Sequence, residues 1–191
     1  MERSIAHIAL FAAMIAALGL VPQITLGFGV PVTAQTLGVM LAGAVLGARR
    51  GAAAVGLFLL LAALGLPLLA GGRGGLGVFV SPTAGFAIGF PFAAYVTGLF
   101  VEHVRLRPAG LAAGLGAAFG GILVLYVFGA AGLAMVLHKS PAEAVTLVAV
   151  FIPGDLLKAA ITGMLVQALA KVRPQALIWH RASSRAGDLR L

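Results

Sequence analysis

Long apolar runs, separated by short breaks rich in glycine, proline or basic residues, dominate the sequence. The pattern predicts helices over residues 4–20, 35–48, 52–69, 84–104, 109–127 and 153–171. Most of these runs approach the roughly 20 residues that a helix needs to cross the hydrocarbon core of a bilayer. We therefore predict an all-α membrane protein, a six-transmembrane-helix bundle.

Two connecting regions carry further expectations. Arg49, Arg50 and Gly51 are interpreted as a tight basic turn between the second and third helices. Residues 128–152 do not match a single membrane-spanning helix. Ser140 or Pro141 is typical of a helix start. We expect a short re-entrant or interfacial helix there, leading into the sixth crossing.

Composition narrows the class of protein. Hydrophobic residues make up 61% of the chain and charged residues 9%, with a mean hydropathy of +1.11. A soluble domain has about 45–50% apolar and about 25% charged residues, so a single soluble domain is excluded. Six crossings fill most of 191 residues and leave no room for an ATPase domain. The energy for any transport must come from a gradient or from a separate protein.

The net charge of +8 is a topology signal and does not indicate nucleic-acid binding, because the cations lie between apolar runs and in the tail. With both termini in the cytoplasm, ten Lys or Arg residues lie inside and two lie outside. The inside residues are Arg3, Arg49, Arg50, Arg105, Arg107, Lys171, Arg173, Arg181, Arg185 and Arg190; the outside residues are Arg73 and Lys139. We predict a transmembrane domain over 1–171, a basic cytoplasmic tail over 172–191, and a retained first helix.

This orientation places the longer connections, 22–34, 70–83 and 128–152, on the outer side. They are rich in Gly, Pro, Thr and Gln, whereas the cytoplasmic turns are short and basic. Long, chemically distinctive connections carry function more often than tight turns do. We expect a ligand pocket near the outer face.

Asp155 and Lys158 are a charged pair within the sixth apolar helix. Their i, i+3 spacing places them on one helix face, and ionisable groups at membrane depth are functional candidates by default. A self-neutralising pair that only staples the helix is the alternative. The functional interpretation is a site in which Lys158 binds an anion or carbonyl and Asp155 accepts N–H hydrogen bonds.

Two neighbouring segments carry further ligand-binding candidates. Thr33, Gln35 and Thr36 can donate and accept hydrogen bonds, or Thr33 can serve as the N-cap of the second helix with Gln35 holding its first turn. Gly72, Arg73 and Gly75 belong to a glycine-rich loop that could close over a ligand or be a flexible turn. The loop is no P-loop, since no Gly-Lys-Ser/Thr follows.

Ala9, Ala13 and Ala17 repeat every four residues along the first helix and form a smooth ridge. The ridge predicts close packing, either inside the chain or against another subunit. The four histidines lack metal-ligand spacing, and no nucleophile motif surrounds the serines. We therefore expect no metal, no cofactor and no enzymatic activity.

Several blocks together resemble the BioY family, the biotin-specific S components of energy-coupling factor transporters. The blocks are PVTAQTLG at 31–38, LAGAVLGARRG at 41–51, GGRGG at 71–75, SPTAGF at 81–86 with GFP at 89–91, and PGDLLK at 153–158. They occur in family order over most of the chain. Ala84 departs from the pattern, where a glycine is expected.

The resemblance implies a six-helix bundle in a bacterial or archaeal cell membrane, with an outward-facing biotin pocket. It assigns Asp155 and Lys158 to that pocket, with the ureido ring near Asp155. The carboxylate or carbonyl of biotin would then lie near Lys158, although the ligand could lie the other way round. Phe79, Phe86 and Tyr126 are candidates to pack on its apolar part.

The resemblance also implies partners. A transmembrane coupling subunit would dock on Ala9, Ala13 and Ala17, and two cytoplasmic ATPases would drive transport. An S component for another vitamin and a stand-alone gradient-driven carrier are the alternatives, and homo-oligomerisation is left open.

Overall fold

The computed structural model describes residues 2–25, 27, 30–104, 106–177 and 179, and this part of the chain is mostly helical. The helices are α1 (Glu2–Leu18), α2 (Gln35–Leu46), α3 (Ala48–Ala63), α4 (Ala84–His103), α5 (Ala109–Ala118), α6 (Leu125–Leu137), α7 (Pro141–Ala149) and α8 (Ile152–Val172). Two-residue strands, β1 (Ile24–Thr25) and β2 (Pro31–Val32), pair antiparallel between α1 and α2. Short 3₁₀ turns cover Leu76–Val80 and Pro174–Ala176.

Among the described residues, three helices are long and apolar enough to cross a membrane: Ala84–His103, Ala109–Leu137 and Ile152–Val172. The shorter apolar helices Ser4–Leu18 and Gln35–Leu46 accompany them. The all-α membrane class is thereby confirmed, with the small β1–β2 hairpin as an addition that the apolar pattern does not predict. The six-crossing topology and the side on which the termini lie stay predictions.

The predicted end of the fifth helix at residue 127 is wrong, because α5 and α6 form one continuous helix from Ala109 to Leu137. A π-helical segment, Phe119–Val124, joins them. Its glycines lie against neighbouring helices: a Cβ on Gly120 would meet the carbonyl oxygen of Ala93, and one on Gly121 would meet the side chain of Met40. The widened turn therefore presses against α2 and α4. The helix ends at His138, which is left-handed with φ of 51°.

The predicted turn at Arg49–Gly51 is also wrong, because these residues lie in the first turn of α3. The chain turns at Gly47, whose φ of 81° favours glycine. Glu102 caps the new helix, since its Oε1 accepts a hydrogen bond from the backbone N–H of Ala48 over 2.9 Å. The third helix therefore begins four residues earlier than expected. It also ends earlier, at Ala63, just before Gly65 with φ of 104°.

The short helix expected within 128–152 is confirmed as α7. Ser140 and Glu143 form a reciprocal capping box at its start, and Pro141 occupies the first turn. Hydrogen bonds from the backbone and hydroxyl of Ser140 lower the pKa of Glu143. Helix α8 follows directly, and its bounds agree with the predicted 153–171 to within a residue.

Glycines bring the helices of the bundle close together. A Cβ on Gly43 would meet the carbonyl oxygen of Ala94 on α4, and Gly85 on α4 lies against Gly132 on α6. Helix α4 packs against α2, α3 and α6 and so occupies the middle of the bundle. Close approach of small residues is the usual basis of helix association in lipid. The hydrophobic effect does not drive helices together there, because the lipid tails are as apolar as the side chains. The starts of α2, α4 and α8 thereby meet at one end of the bundle.

Candidate functional site

A cavity lies at the end of the bundle where α2, α4 and α8 begin. Its walls come from the β1–β2 region, the first turns of these helices, and the loop between α3 and α4. It is lined by Val30, Val32, Thr33, Gln35, Thr36, Leu69, Ala70, Arg73, Thr83, Phe86, Ala87, Phe90, Leu125, Phe151, Asp155 and Lys158. The predicted candidates Thr33, Gln35, Arg73, Phe86, Asp155 and Lys158 are therefore brought together.

Asp155 and Lys158 form a buried ion pair on α8. The Lys158 ammonium donates to Oδ1 of Asp155 over 2.8 Å, and the two side chains are 15% and 5% exposed, respectively. Thr36 joins them from α2, accepting a hydrogen bond from Lys158 over 2.7 Å and donating one to Asp155 over 3.2 Å. The pair is thus nearly neutral as a unit and is fixed to a second helix. An ammonium has three N–H donors, so Lys158 retains donor capacity towards the cavity.

Tyr126 holds the other oxygen of this carboxylate. Its hydroxyl donates to Oδ2 of Asp155 over 2.8 Å, although Tyr126 is not among the residues that line the cavity. The sequence predicts an aromatic packing role for Tyr126 against a ligand. In the structure its hydroxyl fixes the orientation of Asp155, and contact of the ring with a ligand stays a prediction.

Gln35 is buried and links three parts of the chain. Its amide donates to the carbonyl oxygens of Ile15 over 3.3 Å and Leu68 over 3.0 Å, and its oxygen accepts from the N–H of Ala70 over 2.9 Å. The interpretation of Thr33 as the N-cap of the second helix is wrong, since the N-cap is Ala34, without a side-chain cap. Thr33 instead lines the cavity, and Gln35 holds α1 and the α3–α4 loop in place.

Arg73 is the second cation of the cavity. Its guanidinium donates to the carbonyl oxygen of Ala70 over 3.1 Å and to the hydroxyl of Thr83 over 3.2 Å. Within the described residues, no carboxylate forms an ion pair with Arg73. Burial lowers the pKa of Arg73, yet arginine stays protonated in proteins. The site therefore presents a fixed positive charge with N–H groups left for an anion.

Gly72 and Gly75 lie on either side of Arg73 and have φ of 70° and 79°, in the left-handed region that favours glycine. Neither glycine is among the residues that line the cavity. A Cβ on either glycine would meet no atom within 4 Å. Their conformation shapes the loop that carries Arg73, and direct contact with a ligand stays a prediction.

One wall of the cavity is aromatic. Phe86 and Phe151 pack edge to face with ring centroids 5.9 Å apart, and Phe90 lies one helical turn from Phe86. These rings offer an apolar surface beside the polar groups of α8 and α2. A ligand that matches the whole cavity has an apolar body, one hydrogen-bonding end and one anionic end.

Sequence reasoning missed Thr83 and Phe151 as site residues, and it noted Thr36 only as a side chain able to donate and accept hydrogen bonds. Thr36 carries the local signal, since it lies beside Thr33 and Gln35 in a polar stretch. Thr83 follows Ser81, whose hydroxyl lies 2.8 Å from the Thr83 hydroxyl. Phe151 gives no signal, because its place in the wall depends on where α7 turns into α8.

The ridge of small residues on α1 faces outwards. Ala9, Ala13 and Ala17 are exposed, whereas Ala12 is buried against the rest of the bundle. Packing inside the chain therefore does not explain the ridge. Docking of another subunit on it stays a prediction.

This chain is similar to known proteins in sequence and in structure. The BioY family model matches residues 2–175. A curated relative, the biotin transporter BioY of Rhodobacter capsulatus, is 55% identical over 93% of this chain and 98% of its own length. The probable biotin transporter BioY of Bacillus subtilis is 41% identical over 83% of this chain and 86% of its own length.

A solved structure is also similar. The crystal structure of the S component for biotin from an energy-coupling factor type ABC transporter superposes with a TM-score of 0.83 at 32% identity. The similarity covers 89% of this chain and 92% of that chain. The overall fold is thus shared with that protein.

Proposed function

The chain belongs to the BioY family, and on that premise we propose that it is a high-affinity biotin-binding subunit for vitamin uptake across the cell membrane. The observation that carries the proposal is a cavity lined by an ion pair, by aromatic rings and by Arg73, which has no ion-pair partner among the described residues. Biotin has matching parts: a ureido ring, an apolar bicycle and chain, and a terminal carboxylate.

The ureido ring is assigned to Asp155 and Lys158. The carboxylate of Asp155 accepts from Lys158, Thr36 and Tyr126, and its two oxygens together offer about four acceptor sites. One site is left for a ureido N–H. The remaining N–H of Lys158 can donate to the ureido carbonyl. A site that hydrogen-bonds both the N–H and the carbonyl of a ureido group would discriminate strongly against ligands that lack a ureido group.

The carboxylate of biotin is assigned to Arg73. Lys158 is already neutralised by Asp155 over 2.8 Å, whereas Arg73 has no carboxylate partner in the described part of the chain. Guanidinium and carboxylate groups pair well because two parallel N–H···O bonds form between them. This assignment differs from both orientations that the sequence leaves open, because it gives the carboxylate to Arg73 and leaves Lys158 to the ureido carbonyl.

The cavity is proposed to face the outside, with both termini in the cytoplasm. The excess of Lys and Arg on the opposite side of the bundle supports this orientation. Biotin would enter between the β1–β2 region and the loop that carries Arg73, and both would then close over it.

The chain is proposed to work with a transmembrane coupling subunit and two cytoplasmic ATPases. The exposed ridge of Ala9, Ala13 and Ala17 supports a close helix–helix contact of this kind. The stand-alone carrier is the competing arrangement, in which Asp155 would carry a proton.

Uptake of labelled biotin separates these arrangements. Cells that make the chain alone are compared with cells that also make the coupling and ATPase subunits, each with and without a protonophore. The proposal expects ATP-dependent uptake that requires the partners and survives the protonophore over short times. Uptake by the chain alone that the protonophore abolishes would contradict the proposed partners and favour the carrier.

A further inference from the structure

A groove runs along the outside of the bundle between α5 and α8, and it shares no lining residue with the cavity described above. The two helices touch at its floor, where a Cβ on Gly110 or Gly163 would meet the backbone oxygen of the other glycine at 2.6–2.7 Å. Exposed leucines flank it, Leu111 and Leu115 on α5 and Leu156 on α8. Because both helices are long enough to cross a membrane, this groove faces lipid.

The length of the groove matches one leaflet of a bilayer. It extends from Leu156 to Lys171 along α8, which is about 22 Å at 1.5 Å per residue. One leaflet contributes about 15 Å of hydrocarbon, and the rest reaches the headgroup level. The groove is lined by apolar or small residues except at the end where α5 begins and α8 finishes.

That end is polar and positively charged. Lys171 and Gln167 line it, and the Gln167 side-chain oxygen accepts from the N–H of Gly110 over 2.9 Å, which leaves its amide NH₂ as a donor. No acidic residue in the described part of the chain forms an ion pair with Lys171.

We propose that this groove binds one anionic glycerophospholipid of the cytoplasmic leaflet. An acyl chain lies on the glycine floor, and the phosphate accepts hydrogen bonds from Lys171 and Gln167. The proposal rests on the orientation of the bundle proposed above and is independent of biotin. Charge complementarity favours an anionic lipid over a helix of another protein, because a helix would have to supply its own buried anion to match Lys171.

The test uses the purified full-length chain in detergent, with phosphatidylglycerol or phosphatidylcholine of the same acyl chains added, and native mass spectrometry to count bound lipid. The wild type is expected to retain one phosphatidylglycerol with about fivefold preference, the contribution of one basic residue near an anionic headgroup. Lys171→Gln should remove the preference, and Lys171→Arg should retain it. The matched control is Arg50→Gln, which removes a cytoplasmic cation outside the groove and should leave the preference unchanged.

A second variant tests the apolar part of the site. Ala160 lines the groove and is exposed, so Ala160→Phe fills the groove without entering the α5–α8 contact. It should reduce retention of both lipids. Biotin binding by each variant, measured in parallel, reports whether the fold is intact and keeps this test separate from that of the proposed function.

Two results would overturn the proposal. A phosphatidylglycerol preference that survives Lys171→Gln would show that the charged end does not recognise the headgroup. Unchanged lipid retention in Ala160→Phe, combined with loss of self-association or of assembly with the coupling subunit, would show that a protein occupies the groove.

Discussion

Tyr126 donates a hydrogen bond to Oδ2 of Asp155 over 2.8 Å, while Oδ1 of the same carboxylate accepts from Lys158 over 2.8 Å. The two donors come from different helices, α6 and α8. The direction of the Asp155 carboxylate is therefore fixed before any ligand arrives. A site prepared in this way loses little conformational freedom on binding, which supports tight binding.

Tyr126→Phe should lower the stability of the chain by about 1–3 kcal/mol, because a buried carboxylate loses one of its donors. The affinity for biotin should fall by a smaller amount, since Asp155 becomes free to rotate. Thermal unfolding in detergent and biotin titration measure the two effects. Tyr95→Phe is the matched control, because Tyr95 is partly exposed and lies outside the cavity. If Tyr126→Phe changes stability and biotin affinity no more than Tyr95→Phe does, the positioning role of Tyr126 is refuted.

Asp155→Asn and Lys158→Ala should each weaken biotin binding sharply, and each should destabilise the chain. Removing one partner of a buried pair leaves the other charge uncompensated. The double variant should therefore be less destabilised than the sum of the two single changes. Unfolding of all four proteins gives this coupling directly, and strict additivity would mean that the two charges do not interact in the folded chain.

Arg73→Gln should weaken binding of biotin by about tenfold or more, because the carboxylate loses a charged partner. The same change should hardly affect biotin methyl ester, which carries no carboxylate. Competition binding with both compounds gives the two affinities. Lys139→Gln is the control, since Lys139 is a loop cation that does not line the cavity and whose 3.6 Å ion pair is with Glu143. An equal loss for acid and ester would place the carboxylate elsewhere.

Ala13→Leu should leave biotin binding intact and prevent assembly with the coupling subunit, because a leucine separates two helices that need a small residue between them. Co-purification of the subunits measures assembly. Ala131→Leu, at an exposed alanine of α6, is the size-matched control and should assemble normally. If Ala13→Leu assembles at the wild-type level, the ridge is not part of the interface with the coupling subunit.

Helices with clear breaks on both sides could be predicted from sequence. Helix α8 lies between the α7–α8 turn and a polar tail, and its predicted bounds were correct to a residue. The join of α5 and α6 could not be predicted, because Gly129 and Gly132 look like helix breakers. In the fold they are contact points, with Phe86 and Gly85 packed against them.

The site residues likewise fall into two groups, those that the sequence alone indicates and those that only the fold brings together. The Asp155–Lys158 pair follows from a local i, i+3 spacing, so the sequence alone indicates it. Thr36 lies 119 residues from Asp155 and Tyr126 lies 29 residues away, and only the packing of α2 and α6 against α8 brings them to the carboxylate. That Arg73 has no ion-pair partner in the described part of the chain likewise depends on which acidic residues the fold brings near it.

The most direct test of the central claim is a calorimetric titration of biotin into the purified, detergent-solubilised chain, with Lys158→Ala measured alongside. The account predicts tight binding by the wild type with one site per chain, and loss of that binding in the variant. A folded wild type that does not bind biotin, or a variant that binds it with unchanged affinity, would contradict the account.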